Sequence, residues 1–198
     1  MAEDTERAHA RSRILDAAEA LFARHGFDGT STARLALAAG VPKGLLFYYF
    51  RAKPDILTAL IEERLGAAEL DPAVLSVPGD PVQTLMNVGD RVLTDRASSA
   101  TLGDVIWHEA HLRPEVRAVL TGYRHALHEA IERALTASLP GPVDAHALHA
   151  AAAAWSATIT ARPLEAAAAG RRRLHEAANL RAIAGLLSAG LLSSAAAS

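Results

Sequence analysis

Residues 30–50 of this chain read TSTARLALAAGVPKGLLFYYF, and this stretch decides the fold. The stretch begins with threonine and serine, and a short run with the apolar spacing of a helix follows. Gly40 ends this run, and Pro42 begins a second one. Serine and threonine favour a helix N-cap, glycine a break, and proline the first turn of a helix. The stretch therefore predicts two short helices joined by a turn, which is the plan of a helix-turn-helix motif.

The segment from Lys43 to Lys53 starts and ends with the only two lysines of the chain. Lysine is a compact, mobile point charge that suits phosphate contacts, and tyrosine hydroxyls and helix N-termini also bind phosphate. Tyr48 and Tyr49 lie between the two lysines. The segment therefore indicates a surface that lies on a DNA backbone.

Charge is divided unevenly along the 198 residues, although the net charge is only −2. Residues 7–53 hold eight basic and three acidic side chains, a balance of +5, whereas the remainder holds twelve basic and nineteen acidic ones. A basic end and an acidic body are typical of a protein that binds nucleic acid through one part. A merely solvated basic helix face is the alternative interpretation.

Apolar spacing along the rest of the chain predicts helices and no sheet, so the expected fold class is all-α. We expect a flexible arm at residues 1–10, a three-helix helix-turn-helix domain at 11–55 and a larger helical domain at 56–198. Proline and glycine predict a loop at residues 71–81. Further helices are expected at about 82–97, 99–111, 114–138, 144–160 and 172–193.

The chain contains no cysteine, and its longest apolar stretch is too short to span a bilayer. We therefore expect a cytoplasmic protein without membrane contact. Histidines recur in pairs three residues apart, and the pairs are His108/His111, His125/His128 and His146/His149. Such pairs share a helix face, but none lies in a metalloprotease motif. We interpret them as ordinary histidines and expect no metal, no cofactor and no enzymatic activity; a metal-binding helical bundle is the alternative.

Residues 11–65 resemble the DNA-binding domain of the TetR (tetracycline repressor-like) family of transcriptional regulators. The matching segments are RILDAAEALFARHGFDGTS, AAGVPKGLLFYYF and AKPDILTALIEERL, in this order and spacing. The resemblance implies a homodimer that binds a palindromic double-stranded operator, and a ligand-binding and dimerisation domain after it. An unknown small-molecule effector would release a repressor from DNA. Activation of transcription, or a helical scaffold that has lost DNA binding, are the alternatives.

The resemblance, together with the chemistry of Arg34 and Leu45, which depart from the usual family pattern, assigns roles within the motif. The expected DNA contacts are Thr30, Ser31, Thr32, Arg34, Lys43, Gly44, Leu45, Tyr48, Tyr49 and Lys53. Ser31 would also cap the first motif helix, Leu45 would touch a thymine methyl group, and a phosphate would compensate the charge of Arg34. Phe47 and Phe50 are expected to face the core.

The larger domain offers a candidate pocket and a candidate interface. The expected ligand contacts are Trp107, His108, Glu109, His111 and Tyr123, in an aliphatic pocket with few polar groups. Stripes of small and apolar residues on the last two long helices suit a four-helix interface between two subunits. The expected interface residues are Leu148, Ala151, Trp155, Leu180, Ile183 and Leu187. Packing within the chain's own core is the alternative for both sets.

Overall fold

The computed structural model describes residues 2–64, 70–98, 100–161 and 171–195, and every regular element in these ranges is a helix. In chain order the helices are α1 (Ala2–His25), α2 (Thr32–Ala38), α3 (Lys43–Tyr49), α4 (Lys53–Arg64), α5 (Pro72–Leu75), α6 (Pro81–Ser98), α7 (Ala100–Leu112), α8 (Pro114–Ser138), α9 (Ala145–Thr160) and α10 (Arg171–Ala195). The predicted all-α class is confirmed. None of the described helices combines the length and apolar character needed to cross a membrane.

The N-terminal segment is helical where the sequence predicted a flexible arm. Helix α1 already begins at Ala2, so residues 2–10 extend the first helix, and residue 1 lies outside the described residues. Residues 2–10 include three alanines, two glutamates and one arginine, all strong helix formers. Arg11, the residue that follows this segment, is ion-paired with Glu63 of α4.

One turn of helix also lies inside the loop predicted for residues 71–81. The Asp71 carboxylate accepts a hydrogen bond from the backbone N–H of Ala73 at 2.9 Å, and Pro72 occupies the first helical position. An aspartate N-cap followed by proline pre-organises a helix start, which explains the short helix α5. The prediction of a loop without helix was wrong at this point.

The chain forms two compact units. Unit 1 comprises residues 1–65 and 95–123, and unit 2 comprises residues 66–94 and 124–198. The sequence-based division instead placed everything after residue 55 in one domain. Helix α7 and the start of α8 belong to unit 1 because Ile106, Ala110 and Val116 are buried in the same apolar core as α1 to α4. The functional roles assigned to the two domains stay predictions.

The core of unit 1 holds the two short helices in place. Leu35 of α2 and Leu46 of α3 are fully buried in one cluster with Phe22 of α1 and with Ile56 and Leu60 of α4. Helices of seven residues are not stable by themselves in water. Full burial of one such side chain contributes about 1.5–3 kcal/mol, so packing stabilises these helices.

The turn between α2 and α3 is a glycine-ended helix terminus. Gly40 has a φ of +63°, in the left-handed region that residues with a Cβ rarely adopt. Its N–H donates to the carbonyl of Leu37 at 3.1 Å, and the N–H of Val41 donates to the carbonyl of Ala36 at 3.0 Å. These bonds satisfy the last carbonyls of α2 and set the direction in which α3 leaves the turn.

Unit 2 packs around Trp155 of α9, which is completely buried. Gly89 of α6 lies directly against its indole ring, because a Cβ built on Gly89 would stand 3.1 Å from Trp155 Cζ2. The same Cβ would stand 3.6 Å from Ile159 Cγ2. The absence of a side chain at Gly89 therefore helps α6 and α9 to approach closely.

We expect Gly89→Val to destabilise the protein, because the added methyl groups overlap the ring of Trp155. Overpacking of this kind costs about 1–3 kcal/mol, which a thermal denaturation followed by circular dichroism detects as a lower Tm. Gly122→Val is the matched control, since Gly122 is an exposed glycine of α8 whose Cβ would meet nothing within 4 Å. Equal Tm shifts for the two variants would contradict the packing described for α6 and α9.

Candidate nucleic-acid interface

Helix α2 begins at a serine cap on the surface of unit 1. The Ser31 Oγ accepts a hydrogen bond from the backbone N–H of Arg34 at 3.2 Å, so the predicted cap is confirmed. Ser31 and Arg34 are exposed, and Thr32 is half-buried. Ser31 and Arg34, for which the sequence predicted phosphate contacts, are therefore accessible to solvent.

The outer face of α3 combines a cation with two aromatic rings. Lys43, Gly44, Phe47 and Tyr48 are all exposed, with 41% of Phe47 and 71% of Tyr48 accessible to solvent. The Lys43 ammonium lies 5.8 Å from the centre of the Phe47 ring, and Tyr48 packs edge-on against Tyr49 with ring centres 5.2 Å apart. This exposed face contains one positive charge, one apolar ring and one phenol.

The structure turns α3 differently from the sequence prediction. Phe47 was expected to face the core but is exposed, whereas Leu45 and Tyr49 were expected to face DNA but are half-buried against the core. Helix residues three and four apart share a face, so Tyr49 and Phe50 follow the fully buried Leu46 inward. Phe47, one residue beyond Leu46, is rotated away. Phe47 lies four residues after the charged Lys43, so the two share a helix face. This spacing was the sequence signal for the exposure of Phe47.

Thr30 has a structural position rather than the predicted phosphate contact. The side chain is completely buried, and its hydroxyl lies 2.9 Å from the carbonyl oxygen of Gly26 and 3.2 Å from that of Leu21. It therefore donates to the end of α1 and cannot reach a ligand in solvent. The prediction for Thr30 was wrong because a hydroxyl next to a helix end also has backbone acceptors.

Lys53 is likewise turned inward. Its ammonium donates to the carbonyl oxygens of Phe27 at 2.6 Å and Thr30 at 3.0 Å, and it lies 4.2 Å from the centre of the Phe27 ring. Burial lowers the pKa of Lys53, and the negative charge of Asp28 opposes that shift. The prediction of a phosphate contact is corrected: this lysine ties the turn after α1 to the start of α4.

A second cation lies on the same aromatic ring. The guanidinium of Arg113 is 4.6 Å from the centre of the Phe27 ring, its Nε–H donates to Glu109 Oε2 at 2.7 Å, and its Nη2 lies 3.4 Å from Asp28 Oδ1. The hydrogen bond to Glu109 raises the pKa of Arg113. We call Phe27, Lys53, Glu109 and Arg113 the Phe27 clasp. Cation–π contacts and charge-assisted hydrogen bonds are among the stronger polar interactions in proteins.

The residues predicted for the ligand pocket have separate environments in unit 1. Glu109 is buried in the Phe27 clasp, so its carboxylate is committed to Arg113 and not to a ligand. His108 is exposed, and His111 is exposed with its Nδ1 2.8 Å from the carbonyl oxygen of Trp107. Trp107 and Tyr123 are half-buried. Ligand binding by these four residues stays a prediction.

The residues predicted for the dimer interface divide into two groups in unit 2. Trp155 and Ala151 are buried within the chain, so their proposed contact with a second subunit is corrected. Leu148, Leu180, Ile183 and Leu187 are half-buried. The sequence pattern located the apolar faces of α9 and α10 but did not distinguish the side that packs internally from the side that remains exposed.

Comparison with known proteins identifies the N-terminal part of the chain. Residues 14–60 match the model of the bacterial regulatory proteins of the tetR family. This part of the chain belongs to the TetR family. The match starts within α1 and ends within α4, so it covers the two motif helices and the helices that carry them.

Two curated relatives and one solved structure are similar to this chain over a longer range. The HTH-type transcriptional regulator AcrR of Shigella flexneri is 30% identical over 129 residues, which cover 62% of this chain and 60% of that regulator. The HTH-type transcriptional repressor AcnR of Corynebacterium efficiens is 30% identical over 125 residues, 62% of each protein. The chain thus spans less than two thirds of these relatives. Salmonella enterica GusR, 23% identical, superposes over 92% of this chain and 95% of its own with a TM-score of 0.67, which shows the fold.

We expect Lys53→Met to lower the free energy of unfolding by about 1–3 kcal/mol, because the carbonyls of Phe27 and Thr30 lose a charged donor. The measurement is urea denaturation followed by circular dichroism. Lys43→Met is the matched control, since it removes the other lysine of the chain from an exposed position and should change stability by less than about 0.5 kcal/mol. An equal stability loss in both variants, or none at Lys53, would show that the Lys53 contacts in the Phe27 clasp do not stabilise unit 1.

Proposed function

We propose that the chain is a homodimeric transcriptional repressor that binds a palindromic DNA operator and is released by a small molecule. The observation that supports it most directly is the exposed face of α3, where Lys43, Gly44, Phe47 and Tyr48 lie outside a helix-turn-helix core. The TetR-family match of residues 14–60 covers the same face. The basic balance of residues 7–53 fits a surface that approaches phosphates.

In this proposal α3 enters the major groove, as the second helix of the motif does in helix-turn-helix proteins. Lys43 and the hydroxyl of Tyr48 contact phosphates, and Ser31 and Arg34 contact the backbone from the start of α2. Phe47, instead of Leu45, provides the apolar surface for a thymine methyl group. Phosphate contacts position the protein, while Phe47 adds a preference for sequence.

Dimerisation in this proposal uses the outer side of α9 and α10. The exposed residues there are Ala150, Ala153, Ala154 and Ala157 of α9 and Ala182, Leu186, Ala189 and Gly190 of α10. They recur at intervals of three and four residues, so each set forms a stripe along its helix. Small side chains let helices approach closely, and two such pairs form a four-helix interface.

Repression and ligand release follow from the same arrangement. A repressor bound across two half-sites blocks transcription by occupying the operator, and the relative AcnR is a transcriptional repressor. An effector shifts the protein off DNA if it binds more tightly to a conformation in which the recognition helices no longer match the half-site spacing. Activation of transcription is the alternative, because it uses the same DNA contacts.

Lys43→Ala should weaken binding to an operator fragment about tenfold, or about 1.4 kcal/mol, because one phosphate contact is lost. It should also reduce the slope of log affinity against log salt by about 1. A mobility-shift titration at several salt concentrations, with an operator selected from random DNA, measures both quantities. Arg133→Ala removes an exposed cation from α8 in unit 2 and serves as the control. Equal affinities for Lys43→Ala and the unaltered protein would refute the placement of α3 on DNA.

Leu186→Glu should convert the dimer into a monomer, because it places a charge at the centre of the α10 stripe. Size-exclusion chromatography with light scattering measures the mass. Val74→Glu is a matched control, since Val74 on α5 is 76% exposed and Leu186 is 75% exposed. A dimer that survives the change at Leu186, or dissociates equally with the change at Val74, would place the interface elsewhere.

A further inference from the structure

Unit 2 contains a compact cluster of two histidines and one carboxylate that the proposed function does not use. His128 and Glu132 lie one turn apart on α8, and His149 joins them from α9. His128 Nε2 is 3.0 Å from Glu132 Oε1 and 3.0 Å from His149 Nδ1, and His149 Nδ1 is 2.9 Å from the same Glu132 Oε1. The sequence suggested only pairs within one helix, and we interpreted those as ordinary histidines.

Hydrogen bonds cannot occupy all three of these short contacts. Each neutral imidazole carries one N–H, and an ionised carboxylate carries none, so at most two protons are available at the three atoms. Each N–H points along one side of the triangle, and at least one of the three short contacts is left without a hydrogen. If the facing nitrogens are unprotonated, three lone pairs converge on one point, an arrangement that a cation relieves.

The spacing of the three atoms fits one metal ion. Ligand atoms about 2.1 Å from an ion, with angles of about 90° between them, lie about 3.0 Å apart. The observed separations of 2.9–3.0 Å therefore match three adjacent ligands of a six-coordinate ion. A tetrahedral ion at the same bond length separates its ligands by about 3.4 Å, so zinc requires the side chains to move apart by a few tenths of an ångström.

We propose that His128, Glu132 and His149 bind a divalent first-row transition-metal ion. Two imidazoles and one carboxylate favour this class, because Mg²⁺ and Ca²⁺ prefer oxygen ligands throughout. The cluster is accessible to solvent, since the side chain of His149 is 67% exposed, that of Glu132 30% and that of His128 15%. Water or a small anionic ligand fills the other coordination positions.

An ion at this site would connect α8 to α9, so metal binding would fix the packing of two helices in unit 2.

The test is metal titration of the full-length, untagged protein after dialysis against a chelator. We expect one equivalent of Co²⁺, Ni²⁺ or Zn²⁺ per chain by calorimetry, a visible Co²⁺ absorption band typical of nitrogen and oxygen ligands, and a higher Tm with the ion. Mg²⁺ at the same concentration should leave Tm unchanged. Absence of a stoichiometric site for all three transition ions would overturn the proposal.

Two variants separate this site from weak binding by scattered histidines. His149→Ala and Glu132→Gln should each lower the affinity at least about tenfold, the scale of losing even an outer-shell partner of a metal ligand. His125→Ala is the matched control, because His125 also faces a glutamate one turn away, with Nε2 3.3 Å from Glu129 Oε1, on the same helix. Equal losses in the control, or none in the two variants, would assign the bound metal to other residues. None of these outcomes depends on DNA binding.

Discussion

Two cations contact the ring of Phe27 in unit 1, and the turn that follows α1 depends on this interaction. Lys53 lies over the ring and donates to the backbone of the turn that follows α1, while Arg113 contacts the ring and is neutralised by Glu109 and Asp28. Buried carbonyls and a buried carboxylate are costly unless they are paired. Because each cation satisfies such a group, the turn after α1 is tied both to the start of α4 and to the end of α7.

The helices themselves were predictable from the sequence because their signals are local. Ser31 accepts from the N–H three residues later, Gly40 adopts the left-handed backbone that ends α2, and Pro114 occupies the first position of α8. Each signal acts within one helical turn, so no tertiary information is needed to read it. The all-α class and the bounds of α6 to α10 followed from these signals and from apolar spacing, whereas the start of α1 did not.

The orientation of side chains in the candidate interface was not predictable to the same degree. Helix α3 has only seven residues, and its aromatic run makes all sides of the helix similarly apolar, so the sequence does not identify the buried side. Packing of Leu46 against α1, α2 and α4 fixes the rotation, which is information about neighbours and not about spacing. The Lys53 ammonium could bind either phosphate or backbone carbonyls. The carbonyls of Phe27 and Thr30 come within its reach only when the turn after α1 has folded. His128 and His149 meet for a similar reason, since they lie on different helices.

The position of Arg113 has a mechanical consequence. This residue is the single link between the end of α7 at Leu112 and the start of α8 at Pro114, and its guanidinium reaches back to Phe27. The proline ring restricts the backbone on one side of the link, and the Glu109 carboxylate anchors the guanidinium on the other. A small change in the angle between α7 and α8 would therefore displace the guanidinium of Arg113 relative to the Phe27 ring, because the long side chain amplifies the movement of its backbone.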